Sequence, residues 1–128
     1  MKNTRDIGLL ILRLGMGIMF MLHGLPKLSG GPEKWEQIGG AMGNLGIHFL
    51  PVVWGFLAAV AEFFGGVCLM FGVLWLPATL MLLFTMIVAI TVHLGNGDGL
   101  NGASHAIEAA IVFLSLSMIG PGKYIVKK

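Results

Sequence analysis

The chain has 128 residues, of which 56% are hydrophobic and only 11% are charged. Soluble domains carry about 25% charged residues, so the composition excludes an ordinary soluble domain as well as a disordered chain. The formal net charge of +2 is too small to indicate a nucleic-acid-binding surface. The single cysteine excludes an internal disulfide, an all-cysteine zinc site and a CxxC redox motif.

Apolar residues are grouped into four runs whose lengths suit a membrane. A helix needs about 20 residues to cross a hydrocarbon core of about 30 Å, and its backbone polar groups must be bonded within the segment. We therefore predict an all-α protein, a bundle of four transmembrane helices that forms a single domain over residues 1–128. The predicted spans are residues 7–28, 52–74, 77–94 and 103–119.

The first apolar run differs from a cleaved signal peptide. It follows Lys2 and Arg5, as the apolar region of a signal peptide would, but Arg13 interrupts it. No A-x-A cleavage site comes after it. We therefore expect this run to remain in the protein as the first membrane helix.

The segment between the first two spans has an amphipathic pattern. Trp35, Ile38, Met42 and Leu45 recur at helical spacing, whereas the start of the segment is rich in charge. Such a pattern is typical of a helix that lies on a membrane surface, although the glycines of this segment weaken helix formation. We predict a short interfacial helix within residues 32–47.

Basic residues predict the orientation of the bundle. Four spans place both termini on one side of the membrane, and loops on the cytoplasmic side carry an excess of Lys and Arg. The opposite side has only Lys34, with Lys27 at a helix end, and Trp35 and Trp54 mark that interface. We therefore expect a multi-pass protein with both termini in the cytoplasm. The basic residues of the two tails are Lys2, Arg5, Lys123, Lys127 and Lys128.

Ionisable residues inside the spans need a partner, because each costs about 2.5–3.5 kcal/mol at the centre of a membrane helix. At about 1.5 Å per residue, Arg13 lies about 9 Å from one membrane face and Glu62 about 13 Å from the other. A long arginine side chain can cover the remaining distance of about 8 Å. We predict an Arg13–Glu62 pair, either a structural ion pair or part of a ligand site.

Further polar residues fall near the membrane face opposite the termini. His105 and Glu108 are three residues apart and share one helix face, which we expect to point into the bundle. Such a cluster could relay protons or bind a polar head group, or its histidines could simply face water. A metal needs at least three converging ligands, and we expect none here. The cluster comprises His23, Lys27, His93, His105 and Glu108.

Several short motifs occur in a characteristic order. They are LRLGxG at 12–17, HGLPKL at 23–28, AEFFGG at 61–66 and GPGKY at 120–124. In this order the chain resembles the DoxX family of small four-helix membrane proteins over about residues 7–124. The resemblance implies a protein of the prokaryotic cytoplasmic membrane that is linked to quinone-coupled oxidation. It places Arg13, His23, Lys27 and Glu62 at the polar centre.

Three functions follow as hypotheses. The first is a redox-associated subunit that binds a quinone-like ligand between its helices; any enzymatic activity would then depend on the quinone or on a redox partner protein. The second is a non-enzymatic membrane scaffold or assembly factor. The third is a small transporter, which would need a homo-oligomer because four helices leave little room for a substrate route.

The first hypothesis assigns roles to the polar residues of the spans. Carboxylates can take up protons, so they are the candidate catalytic groups. Cationic and imidazole side chains can donate hydrogen bonds to a quinone carbonyl, so they are the candidate cofactor-binding groups. The catalytic candidates are Glu62 and Glu108, and the binding candidates are Arg13, His23, Lys27, His93 and His105.

Overall fold

The structure is a computed structural model that describes residues 2–125, with the side chains of all but residues 2, 3 and 44. This part of the chain is helical, which confirms the predicted all-α class. The tail lysines Lys127 and Lys128 lie outside the described residues, as do residues 1 and 126. The helices are α1 (Lys2–Ser29), α2 (Pro32–Gly39), a 3₁₀ segment (Gly40–Leu45), α3 (Pro51–Phe71), α4 (Trp75–Gly95) and α5 (Gly99–Ile119).

Four of the helices, α1, α3, α4 and α5, are long and apolar enough to cross a membrane. They run antiparallel in the order α1, α3, α4, α5 around a bundle. Helices α5 and α1 also meet, through a ring contact between Phe20 and Phe113 with centroids 4.9 Å apart. The start of α1 and residues 120–125 lie together at what we call the terminal end. The loop end carries α2, the 3₁₀ segment and the α4–α5 turn.

The fifth helix begins earlier than its predicted span. Gly97 and Gly99 both adopt positive φ, at 78° and 70°, a conformation that glycine tolerates at little cost. This allows a tight turn after α4, and the polar residues from Gly99 onward are already helical. Helix α4 likewise begins at Trp75, ahead of the predicted residue 77.

Glycines bring α1 and α3 into backbone contact. A Cβ atom on Gly17 would lie 2.5 Å from the Gly66 carbonyl oxygen, and one on Gly66 would lie 2.6 Å from the Gly17 oxygen. Membrane helices commonly use small residues for such close approach. The stripe of α1 that is formed by Arg13, Gly17, Phe20 and Gly24 is buried, so it faces the bundle. On α3, Gly66 packs against α1, whereas the neighbouring Gly65 packs against Leu82 of α4.

The expected interfacial segment is helical and packs on the bundle. Gly39 touches the Pro51 carbonyl, and Gly55 touches the Trp35 carbonyl, at distances that no side chain would permit. The Trp35 Nε1 atom also donates a hydrogen bond to the Lys27 carbonyl at 3.0 Å. Helix α2 is therefore fixed to the end of α1 and the start of α3.

Candidate functional site

A cavity of about 540 Å³ lies at the loop end between α2, the 3₁₀ segment, α3 and α4. Small-molecule sites usually have roughly 300–1,000 Å³ of space, mostly apolar walls and a few polar groups. This cavity has that character. Its polar lining residues are Lys27, Gln37, Trp54, Glu62, Thr85 and His93.

Lys27 and Glu62 form the charged part of the lining. The Lys27 Nζ atom lies 2.6 Å from Glu62 Oε1, and the Glu62 side chain is only 4% exposed. Lys27 belongs to the last turn of α1, and its flexible side chain reaches back along α3 to the carboxylate. The lysine ammonium compensates the buried carboxylate at the wall of the cavity.

Trp54 supplies an unused hydrogen-bond donor. Its Nε1 atom is buried, and among the described residues it has no hydrogen-bond partner. An indole N–H can only donate, and a buried donor without a partner costs about 1–3 kcal/mol. A ligand with a carbonyl or other acceptor oxygen would satisfy it. The wall of the cavity therefore contains one donor without a partner among the described residues.

From the sequence, Trp54 is predicted only to mark the membrane interface. A signal for its inward position was nevertheless present, since Trp54, Ala58 and Ala61 follow helical steps of four and three. All three residues line the cavity. The same face of α3 carries Glu62 one residue further along.

His93 stands at the edge of the cavity near the end of α4. Its Nδ1 atom lies 3.0 Å from Asp98 Oδ2 in the turn that follows. This contact fixes one ring nitrogen and so orients the imidazole. Both side chains are more than 40% exposed, at 42% and 43%, so the contact is accessible to solvent.

The predicted Arg13–Glu62 pair is wrong. Arg13 is only 1% exposed, and its guanidinium donates to the Leu69 carbonyl at 3.1 Å and the Met70 carbonyl at 3.0 Å, at the end of α3. It also donates to the carbonyls of Pro121 and Tyr124. Arg13 therefore joins α1, α3 and the segment after α5 at the terminal end.

The register between α1 and α3 explains this difference. Gly24 packs against the backbone of Glu62 and Phe63. Arg13 lies eleven residues before Gly24, which is about 16 Å along a helix. The depth estimate from the sequence could not include this register, because the glycine contacts set it.

His23 and His105 come together outside the cavity. Their ring centroids are 5.9 Å apart, and both residues are exposed where α1 meets α5. Glu108 is exposed on the same helix as His105. Within the described part of the chain, no three His, Cys, Asp or Glu side chains are grouped so that they could hold a metal ion.

The expectation that His105 and Glu108 point into the bundle is therefore wrong. Helix α5 buries another face, because its alanines and two large apolar residues recur at helical spacing and fill the core. Lys27, Glu62 and His93 are the predicted site residues that line the cavity. The buried face of α5 comprises Ala103, Ala106, Ala109, Phe113 and Leu116.

Together these features define a small four-helix membrane protein with a largely apolar, polar-centred cavity at one end. The chain belongs to the DoxX family, because the sequence model of that family matches residues 8–94. It is 31% identical over 129 residues to "Inner membrane protein YqjF" of Escherichia coli (strain K12), covering 97% of this chain and 92% of that protein. With the four apolar helices, this similarity supports a multi-pass protein of a prokaryotic membrane.

A second relative is "Putative oxidoreductase CatD" of Bacillus subtilis (strain 168). The chain is 34% identical to it over 90 residues, which cover 70% of this chain and 62% of that protein. No solved structure matches this chain.

Proposed function

We propose that this protein is a membrane subunit that binds a quinone-like ligand in the loop-end cavity and so serves a redox system. The observation that carries the proposal is the buried Trp54 indole N–H, which has no hydrogen-bond partner among the described residues, in a mostly apolar cavity that the Lys27–Glu62 pair also lines. The similarity to a relative named as an oxidoreductase supports the redox assignment.

The lining matches the chemistry of a quinone. A quinone has a flat apolar ring with two carbonyl acceptors, and it needs an apolar slot with donors at its edges. Trp54 Nε1 and Lys27 Nζ are donors that come from different helices. Glu62 provides a carboxylate that could hold a proton beside the bound ring. A quinone would supply the two-electron chemistry that these side chains lack.

The cavity is accessible from the side that faces lipid. Leu57 of α3 and Leu80 and Phe84 of α4 line it, yet each is between 46% and 48% exposed. In a membrane these side chains contact acyl chains, so an apolar ligand dissolved in the bilayer can reach the cavity laterally. This route suits a lipid-soluble cofactor better than a water-soluble substrate.

A partner protein is part of this proposal. Iron–sulfur clusters usually require four cysteine thiolates, whereas this sequence has one cysteine. Electrons that reach the ligand would therefore come from a separate redox protein. We further propose that both termini face the cytoplasm, since Arg5 and Lys123 lie at the terminal end.

Equilibrium dialysis of the purified protein in mild detergent with a short-chain benzoquinone tests the proposal. We expect saturable binding that Trp54→Phe weakens about tenfold, since this change removes the N–H but keeps an aromatic ring. Trp75→Phe is the matched control, because the Trp75 indole does not line the cavity and donates to the Leu116 carbonyl at the terminal end.

Two results would overturn the assignment. One is the absence of saturable binding to the unaltered protein. The other is equal affinity for an aromatic hydrocarbon of the same size without carbonyl groups, which would make the cavity a general apolar site.

A further inference from the structure

The outer surface of α5 carries a polar stripe that the cavity does not use. Asn101, His105, Glu108 and Ser115 follow one another at steps of four, three and seven residues, and all are exposed. His23 of α1 stands beside His105, with ring centroids 5.9 Å apart. We call these five residues the α5 polar face.

Glu108 lies deep within its span. It follows Gly99 by nine residues and precedes Ile119 by eleven, so it is about 14 Å from one helix end and about 17 Å from the other. It is exposed, and among the described residues it makes no ion pair or side-chain hydrogen bond. A carboxylate that faces lipid at this depth is costly.

We propose that a second copy of this chain covers the α5 polar face. The face is self-complementary, because the same surface holds one carboxylate and two imidazoles. A two-fold axis along the membrane normal would bring His105 and His23 of each copy close to Glu108 of the other. An imidazole can donate a hydrogen bond to a carboxylate in its neutral or its protonated form.

The spacing of residues along the α5 polar face suits the pairing of two α5 helices from different copies. Steps of four, three and seven residues keep side chains on one seam when two helices cross at a small angle. Polar side chains on such a seam bond across the interface between membrane helices. The same patch then occurs on both subunits, as two-fold symmetric interfaces require.

The second copy would not cover the cavity. The cavity lies between α3 and α4, whereas the α5 polar face is on α5 and the adjoining edge of α1. Helices α3 and α5 are diagonal in the bundle order. Self-association is therefore separate from ligand binding, and its test does not depend on a quinone.

Site-specific cross-linking in native membranes tests the proposal. In a Cys68→Ser background, Asn101→Cys places a thiol on the α5 polar face, and a short bis-maleimide then joins neighbouring copies. Val53→Cys is the matched control, since each residue follows the first residue of its helix by two positions at the loop end and is exposed. We expect dimers from Asn101→Cys at a yield several-fold above that from Val53→Cys.

A second variant tests the role of the carboxylate. Glu108→Leu exchanges it for a lipid-compatible side chain, so insertion is retained, and we expect the dimer dissociation constant in liposomes to rise about tenfold. The measurement is energy transfer between labelled copies. Equal cross-linking at both positions, adducts of Asn101→Cys with other proteins alone, or an unchanged dissociation constant for Glu108→Leu would each overturn the proposal.

Discussion

Lys27 and Glu62 connect the last turn of α1 to the middle of α3, with Nζ 2.6 Å from Oε1. The carboxylate is almost fully buried, whereas the lysine is 34% exposed. The exposed part of the Lys27 side chain can contact solvent or a ligand, while its ammonium group neutralises the buried Glu62 carboxylate. The pair therefore combines a stabilising role with a position at the cavity.

Removal of the lysine should leave the buried acid without compensation. We expect Lys27→Met to lower the free energy of unfolding by about 2–3 kcal/mol, somewhat below the roughly 3–5 kcal/mol for a fully buried pair. Lys27→Met combined with Glu62→Leu should recover much of this loss, because no buried charge remains. Denaturant titration in detergent measures both, and Lys34→Met, exposed on α2, serves as the control.

The contact between α1 and α3 should tolerate no added methyl group. Gly17→Ala would place a Cβ atom 2.5 Å from the Gly66 carbonyl oxygen, so the helices must separate at a cost of about 1–3 kcal/mol. Gly15→Ala is the control, because no atom lies within 4 Å of its added Cβ. Thermal unfolding should show a lower midpoint for Gly17→Ala alone, and equal midpoints would contradict the close packing.

A positive charge at position 13 should not be enough to hold the terminal end together; the planar shape of the arginine guanidinium is also needed. A lysine ammonium cannot reach the carbonyls of both α3 and the segment after α5, whereas the planar guanidinium does so. We expect Arg13→Lys to lower stability by about 2 kcal/mol. Amide exchange at residues 122–125 should become faster, while Arg5→Lys, on an exposed residue, leaves it unchanged. Unaltered exchange in Arg13→Lys would show that other contacts hold this segment.

The close packing of α2 on α3 should affect how tightly the cavity binds a quinone. Gly55→Ala would force the Trp35 backbone away and so open the cavity that α2 helps to close. We expect benzoquinone affinity to fall about tenfold. Gly40→Ala provides the comparison, because its added Cβ meets no atom within 4 Å. Equal affinities for the two variants would mean that α2 has no part in the site.

Much of the fold could be predicted from the sequence. The lengths of the apolar runs predicted four helices, because lipid leaves few alternatives for the backbone. The helical spacing of Trp35, Ile38 and Met42 also predicted the short helix after the first span. These predictions depend on one helix at a time, so local pattern is enough.

The contacts between helices could not be predicted in this way. Whether Arg13 or Lys27 meets Glu62 depends on the register of two helices, which the Gly17–Gly66 contact sets. Helix α5 has two candidate faces, one rich in alanine and one with His105 and Glu108. Only packing against the other helices decides which face is buried. The unpartnered donor of Trp54 likewise emerges only when its neighbours are in place.

The contacts of Arg13 also bear on how the protein is made. Arg13 enters the membrane with the first helix, but two of its acceptors, the carbonyls of Pro121 and Tyr124, leave the ribosome 108 and 111 residues later. Until synthesis is almost complete, the nascent protein must therefore carry a guanidinium that lacks at least half of its four acceptor residues. The earliest span to be inserted is thus among the last to reach its final set of bonds.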